Sequence, residues 1–102
     1  MTKKEMSEKG MVLVGYSGDA RSSYLIALKK AKEGKWKEVE TLLAEGDEML
    51  LEAHQAQTEL LQAEAQEKYS DVTMIMVHGQ DHLMTTVLLK DLIQTLLDVY
   101  RK

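Results

Sequence analysis

The stretch from Val72 to Val99 constrains this chain more than any other. It carries Val72, Met74, Ile75, Met76, Val77, Leu83, Met84, Val87, Leu88, Leu89, Leu92, Ile93, Leu96, Leu97 and Val99. On a helix of 3.6 residues per turn these positions cover nearly the whole circumference. A helix apolar all round must be buried on all sides. Two partner helices drawn from a chain of 102 residues cannot enclose it. The pattern therefore calls for self-association, with this helix at the subunit interface. Three copies round an axis would make a nine-helix bundle, although the pattern by itself supports an oligomer and not the number three.

The rest of the chain supplies the partner helices. The whole sequence lacks proline and is rich in Leu, Ala, Glu, Lys and Gln, which favours helix over sheet. Residues 1–10 are polar and mixed in charge and are expected to form a flexible tail. Residues 11–102 are expected to form one domain. Its first helix runs from about Met11 to Glu33, with an inward stripe of Leu13, Tyr16, Ala20, Tyr24, Ala27 or Leu28, and Ala31. Gly15 and Gly18 weaken its first turns, and Gly34 suits the left-handed position that ends it. The second helix runs from about Lys35 to Glu67. Its column of Trp36, Val39, Leu43, Gly46, Leu50, Ala53, Gln57 and Leu60 steps alternately by three and four, the period of left-handed, coiled-coil-like packing. Gly46 in that column marks a close approach between helices. Glutamates dominate the opposite face, which reads as solvated. Ser70 or Asp71 is the expected N-cap of the third helix, which continues to about Tyr100. The fold expected is all-α, an antiparallel three-helix bundle subunit.

Charge and composition exclude several functions. The absence of cysteine removes disulfides, thiol nucleophiles and cysteine-type zinc sites. A formal net charge of −4 argues against a nucleic-acid partner. The apolar run Met11–Val14 is too short for a signal-peptide core, and no segment is long and apolar enough to span a bilayer. A cytoplasmic protein without direct membrane insertion is expected.

Within the apolar third helix sits a polar island, Val77-His78-Gly79-Gln80-Asp81-His82-Leu83-Met84-Thr85-Thr86. His78, Asp81 and His82 stand at i, i+3 and i+4 and share one side of the helix. Asp81 falls in a column with Met74, Val77, Met84 and Leu88, whereas the histidines border a neighbouring groove. Burying such groups is unfavourable unless they are paired or bound. Three readings follow. The island can be a polar layer fixing oligomer register. It can be a metal site built from His78, Asp81 and His82. Or a neutral imidazole here can act as a nucleophile that takes up and releases a phosphoryl group.

Three stretches together resemble the lactose/cellobiose-type enzyme IIA of the bacterial sugar phosphotransferase system. They are Gly18-Asp19-Ala20-Arg21-Ser22, Glu52-Ala53-His54-Gln55-Ala56-Gln57-Thr58-Glu59-Leu60 and Val77-His78-Gly79-Gln80-Asp81-His82-Leu83-Met84-Thr85. The resemblance covers roughly Val12 to Tyr100. It implies a three-helix subunit in a homotrimer, with His78 phosphorylated by HPr. His78 then passes the group to a cysteine of the cognate enzyme IIB, which serves disaccharide uptake through enzyme IIC. It also implies that Asp81 lies near the threefold axis, where three copies can share Mg2+ or another divalent cation. His82 would stabilise the phosphoryl group. Gln80, nearly opposite His78 on the helix, would reach a site only in a neighbouring subunit. Gly79 stands where alanine is more usual and is expected to loosen the backbone beside His78. Arg21 reads as a surface or interface ion-pair residue rather than a phosphate contact, and His54 as a solvated or interface histidine. Gln57 is either a hydrogen-bonding partner near the site or a buried structural amide. The reading that competes with a phosphocarrier is a helical metal-binding or oligomerisation module without phosphotransfer.

Overall fold

The computed structural model describes residues 1–69 and 71–101. Three helices follow one another: α1 (Lys3–Lys32), α2 (Trp36–Ala65) and α3 (Met74–Asp98). They form a rod 52 × 19 × 18 Å in extent. α1 and α2 run antiparallel, as the ion pair Lys30–Glu38 and the bond from Tyr24 to Asp47 require. α3 runs parallel to α1, with Ser7 beside Thr73 at one end and Ser17 beside Thr86 further along. α1 packs along both partners, whereas α2 and α3 scarcely touch. One long groove between α2 and α3 is therefore left open.

The expected tail over 1–10 is helical from Lys3 onwards. Two local causes account for the correction. Thr2 accepts from the backbone of Glu5 while the Glu5 side chain accepts from Thr2, a reciprocal cap that holds the Glu5 carboxyl below its ordinary range. Met6 and Gly10 then join the buried stripe, which reads Met6, Gly10, Leu13, Ser17, Ala20, Tyr24, Ala27 and Ala31 in alternating steps of four and three. That phase also corrects the expected inward stripe. Tyr16 is 39% exposed, and the neighbouring Ser17 is buried in its place.

Both helix ends at one pole and the other use the same device. At the end of α1, Lys35 N–H donates to Lys30 and Gly34 N–H to Ala31, with Gly34 at φ 77°. At the end of α2, Lys68 N–H donates to Ala63 and Glu67 N–H to Glu64, but the left-handed position (φ 56°) is held by Glu67, which has a Cβ. α3 begins later than expected. Its N-cap is Thr73, whose hydroxyl accepts from Met76 N–H. Asp71 lies outside the helix, and Ser70 lies outside the described residues.

Tyr24 is the largest side chain completely removed from solvent. It lies against Gly46, as the column on α2 predicts: a Cβ there would come within 2.7 Å of the Tyr24 ring. The Tyr24 hydroxyl donates to Asp47 Oδ1 at 2.6 Å, and Lys90 Nζ on α3 sits 3.5 Å from the same oxygen. One residue from each helix thus meets at this point. Burial above all, and then the Asp47 bond, push the Tyr24 phenol well above its ordinary range.

The third helix is buried only on its α1 side. Met76, Gly79, Leu83, Thr86, Ile93 and Leu97 face inward. Met74, Val77, Met84, Leu88, Leu92 and Val99 remain exposed, Met74 by as much as 81%. A single chain therefore leaves uncovered the apolar surface that the sequence says must be covered.

Candidate functional site

The polar island lies where the uncovered stripe meets the α1–α3 contact. His78 is exposed and His82, one turn on, is half-buried. Their rings meet edge to face, with centroids 4.5 Å apart and planes at 80°. The i, i+4 spacing thus brings the histidines together as expected.

His82 is wedged towards α1. Its Nδ1 is buried without a hydrogen-bond partner and lies 4.0 Å from where a Cβ on Gly18 would stand. Nε2 is therefore the ring nitrogen able to meet a ligand. Burial, then the Arg21 charge and then His78 hold the His82 imidazole below its ordinary pKa, with Asp81 acting in the opposite sense. The ring is neutral at pH 7 and offers a hydrogen bond rather than a charge.

The backbone under His82 is fixed from α1. Arg21 Nη2 donates to the His82 carbonyl at 3.3 Å and to the Thr85 hydroxyl. Thr85 Oγ1 also lies 2.8 Å from the Asp81 carbonyl. Thr86 Oγ1 is 2.7 Å from the His82 carbonyl and 3.2 Å from that of Ser17. Arg21 was expected to form an ion pair, but its partners are neutral oxygens. The preference has a simple cause: Arg21 lies one helix away from a carbonyl and a hydroxyl that point at it. Ser17, Thr85 and Thr86 were not singled out from sequence. The adjacent threonines ending the island were the available signal.

Gln80 is on the opposite flank. It is half-buried, and its Oε1 accepts from Gln57 Nε2 of α2 at 2.9 Å. Gln57 is half-buried and makes this bond, which fits both readings left open for it. His54 is exposed on the outer face of α2.

Asp81 is exposed within the apolar stripe of Met74, Val77, Met84 and Leu88. Among the described residues no three His, Cys, Asp or Glu side chains gather to hold a metal. A single-chain metal site of His78, Asp81 and His82 is therefore not formed. His82 turns one nitrogen into the α1 contact, while Asp81 stands out on the stripe.

Gly79 has a packing role beside the histidines. It is buried where α1 packs on α3. A Cβ at Gly79 would lie 2.7 Å from the Gly10 carbonyl oxygen and 2.7 Å from Leu13 Cβ. A Cβ at Gly10 would lie 3.0 Å from the Ile75 carbonyl. The bare backbones of these two glycines allow the helices to touch beside His78.

Comparison with known proteins fits this arrangement. The family described as "PTS system, Lactose/Cellobiose specific IIA subunit" matches residues 8–101. The chain is 44% identical over 102 residues to the PTS system lactose-specific EIIA component of Streptococcus mutans, covering 100% of this chain and 98% of that protein. It is 45% identical to the component of the same name from Staphylococcus aureus, covering 100% and 99%. Among solved structures, the PTS cellobiose-specific enzyme IIA from Bacillus anthracis superposes with a TM-score of 0.90 at 36% identity, over 99% of this chain and 91% of that one. PtcA from S. mutans gives 0.93 at 38% identity, with 100% of both chains covered. No helix among the described residues is long and apolar enough to cross a membrane. This chain belongs to the lactose/cellobiose-specific IIA family of the sugar phosphotransferase system.

Proposed function

We propose that this protein is a phosphocarrier in which His78 takes a phosphoryl group from phospho-HPr and passes it to a cysteine of enzyme IIB, serving disaccharide uptake through enzyme IIC. The observation that carries the reading is the exposed His78 ring held 4.5 Å from the neutral, anchored His82 ring. Exposure lets a partner protein bring its phosphoryl group in line with a ring nitrogen, most simply Nε2. The N–P bond on His78 forms as the donor's bond to phosphorus breaks. In the second step the IIB thiolate attacks the same phosphorus, and His78 leaves as neutral imidazole. Such transfers are catalysed largely by positioning and by offsetting charge on the phosphoryl oxygens. His82 supplies a fixed N–H donor one helical turn away, its peptide held by Arg21 and Thr86.

The working unit is a homotrimer packed through the exposed stripe of α3. The uncovered Met74, Val77, Met84 and Leu88 support this, as does the groove left open between α2 and α3. Asp81 lies in that stripe, so a threefold axis there gathers one carboxylate from each copy. Oxygen donors of this kind suit a hard cation such as Mg2+, which would offset the charge and hold the subunits together. On an idealised helix His78 lies about 60° to one side of Asp81, and Gln80 about 100° to the other. A cyclic trimer joins unlike flanks, so the His78 flank of one copy meets the Gln80 flank of the next. Gln80 then serves the neighbour's site.

Incubation with phosphoenolpyruvate, enzyme I and HPr tests the function. The expected result is one acid-labile phosphoryl group per chain. A chain that assembles but takes up none would be an oligomerisation module instead.

A further inference from the structure

We infer that Gln57 on α2 is a positioning residue for this transfer: its Nε2 holds Gln80 Oε1, which turns the Gln80 N–H2 group towards the phosphoryl group on the adjoining subunit. The inference rests on the part given to Gln80 above.

A carboxamide can help or hinder a phosphoryl group according to which end it presents. Its N–H2 carries two donors and its oxygen only lone pairs. An ionised phosphoryl group offers acceptors alone, so a Gln80 oxygen facing it would repel and a Gln80 nitrogen would bind. Something must choose between the two orientations, since they have the same shape. Gln80 sits half-buried on the rim of the cleft between α2 and α3, beside Val77, Met76 and Leu60. Its partner across that cleft is Gln57, which donates to Gln80 Oε1 at 2.9 Å. The bond occupies the oxygen on the α2 side and leaves the nitrogen for the open side. α3 leans on α1 and barely meets α2, so this amide pair, like the Asp47–Lys90 ion pair further along, is a polar link between α2 and α3, and it falls beside the site. Gln57 touches no reacting atom in this arrangement; it acts through Gln80.

Reversing the polarity at position 57 is the test, read as the rate of phosphoryl transfer from phospho-HPr to the assembled protein. In Gln57→Glu the introduced carboxylate only accepts. Gln80 must then turn its nitrogen inward and its oxygen out. Transfer is expected to slow by roughly ten-fold or more at neutral pH, the scale of one hydrogen bond to a charged group. The ratio to the parent should recover as pH falls towards about 4, because a protonated carboxyl regains a donor. Gln57→Lys keeps a donor and should stay within about two-fold of the parent. In a Gln80→Leu background, Gln57→Glu should add nothing. If Gln80→Leu is slow but Gln57→Glu matches the parent, Gln57 has no positioning role and the part given to Gln80 stands. If Gln80→Leu itself matches the parent, Gln80 has no part in transfer and the inference about Gln57 falls with it. Should Gln57→Glu fail to assemble, Gln57→Leu takes its place: slower transfer than Gln57→Lys supports the inference, and equal rates overturn it.

Discussion

Gly79 packs against Gly10 one residue from His78: a Cβ at Gly79 would stand 2.7 Å from the Gly10 carbonyl oxygen, and one at Gly10 would stand 3.0 Å from the Ile75 carbonyl. Two effects compete when Gly79 becomes alanine. Helix propensity favours alanine by up to about 1 kcal/mol. Against it, the new methyl would stand 2.7 Å from a carbonyl oxygen and from Leu13 Cβ, neither of which is the free end of a side chain. Overpacking of this kind costs about 1–3 kcal/mol, so Gly79→Ala should lower stability in urea. An unchanged or raised midpoint would mean that α1 can move away from α3 without loss.

Glu67 offers the converse case. It holds the left-handed position that glycine holds at the end of α1. Glu67→Gly removes the Cβ conflict and should stabilise the fold by about 1 kcal/mol. Thermal unfolding checks this, and a lower midpoint would show that the Glu67 side chain contributes more than its backbone position costs.

His82 makes stability depend on pH with a definite sign. Its imidazole is held below the ordinary histidine value, chiefly by burial. As acid is added the unfolded chain takes up this proton first, so acid favours unfolding. The contribution is fully present above pH of about 6.5 and is lost as pH falls through that value towards the lower folded pKa. His82→Gln should flatten that part of the stability profile relative to the parent. Phosphorylation should reverse the shift, because a dianionic group beside the ring favours its charged form. NMR titration of the ring protons before and after phosphorylation reads this directly; a His82 pKa that stays put would place the phosphoryl group elsewhere.

Asp81 stands in the one face of α3 that a single chain leaves bare. If three such carboxylates meet at an axis, replacing each by leucine removes the mutual repulsion and keeps the volume. Asp81→Leu should therefore preserve or strengthen the trimer and eliminate its bound cation. Asp81→Lys should break the trimer, since no cation then offsets the charge. Light scattering with metal analysis decides. A leucine variant that dissociates while the lysine variant stays assembled contradicts the axis placement.

The elements were legible in the sequence wherever large apolar residues set the phase. The α2 column was readable through Gly46, and the excess of apolar residues on α3 showed that a face would remain uncovered. What escaped was set by small or polar residues. Ser17 is buried while Tyr16 is not, because the phase of α1 is fixed by Met6 and Gly10 in a segment whose charge resembles a tail. The only local sign of helix there was the pair Thr2 and Glu5. The histidines could be placed together because they share one helix. The Arg21, Thr86 and Gln57 contacts join different helices, and their rotational phases cannot be read from one strand of sequence.

The central claim is that His78 carries the phosphoryl group. His78→Ala removes an exposed side chain, so helix content and assembly should be unchanged. Its phosphorylation by phosphoenolpyruvate, enzyme I and HPr, followed by 31P NMR under alkaline conditions, is the most direct measurement. The parent should show one phosphohistidine signal and the folded alanine variant none. A phosphohistidine signal that persists in His78→Ala, from His82 or His54, would contradict the assignment.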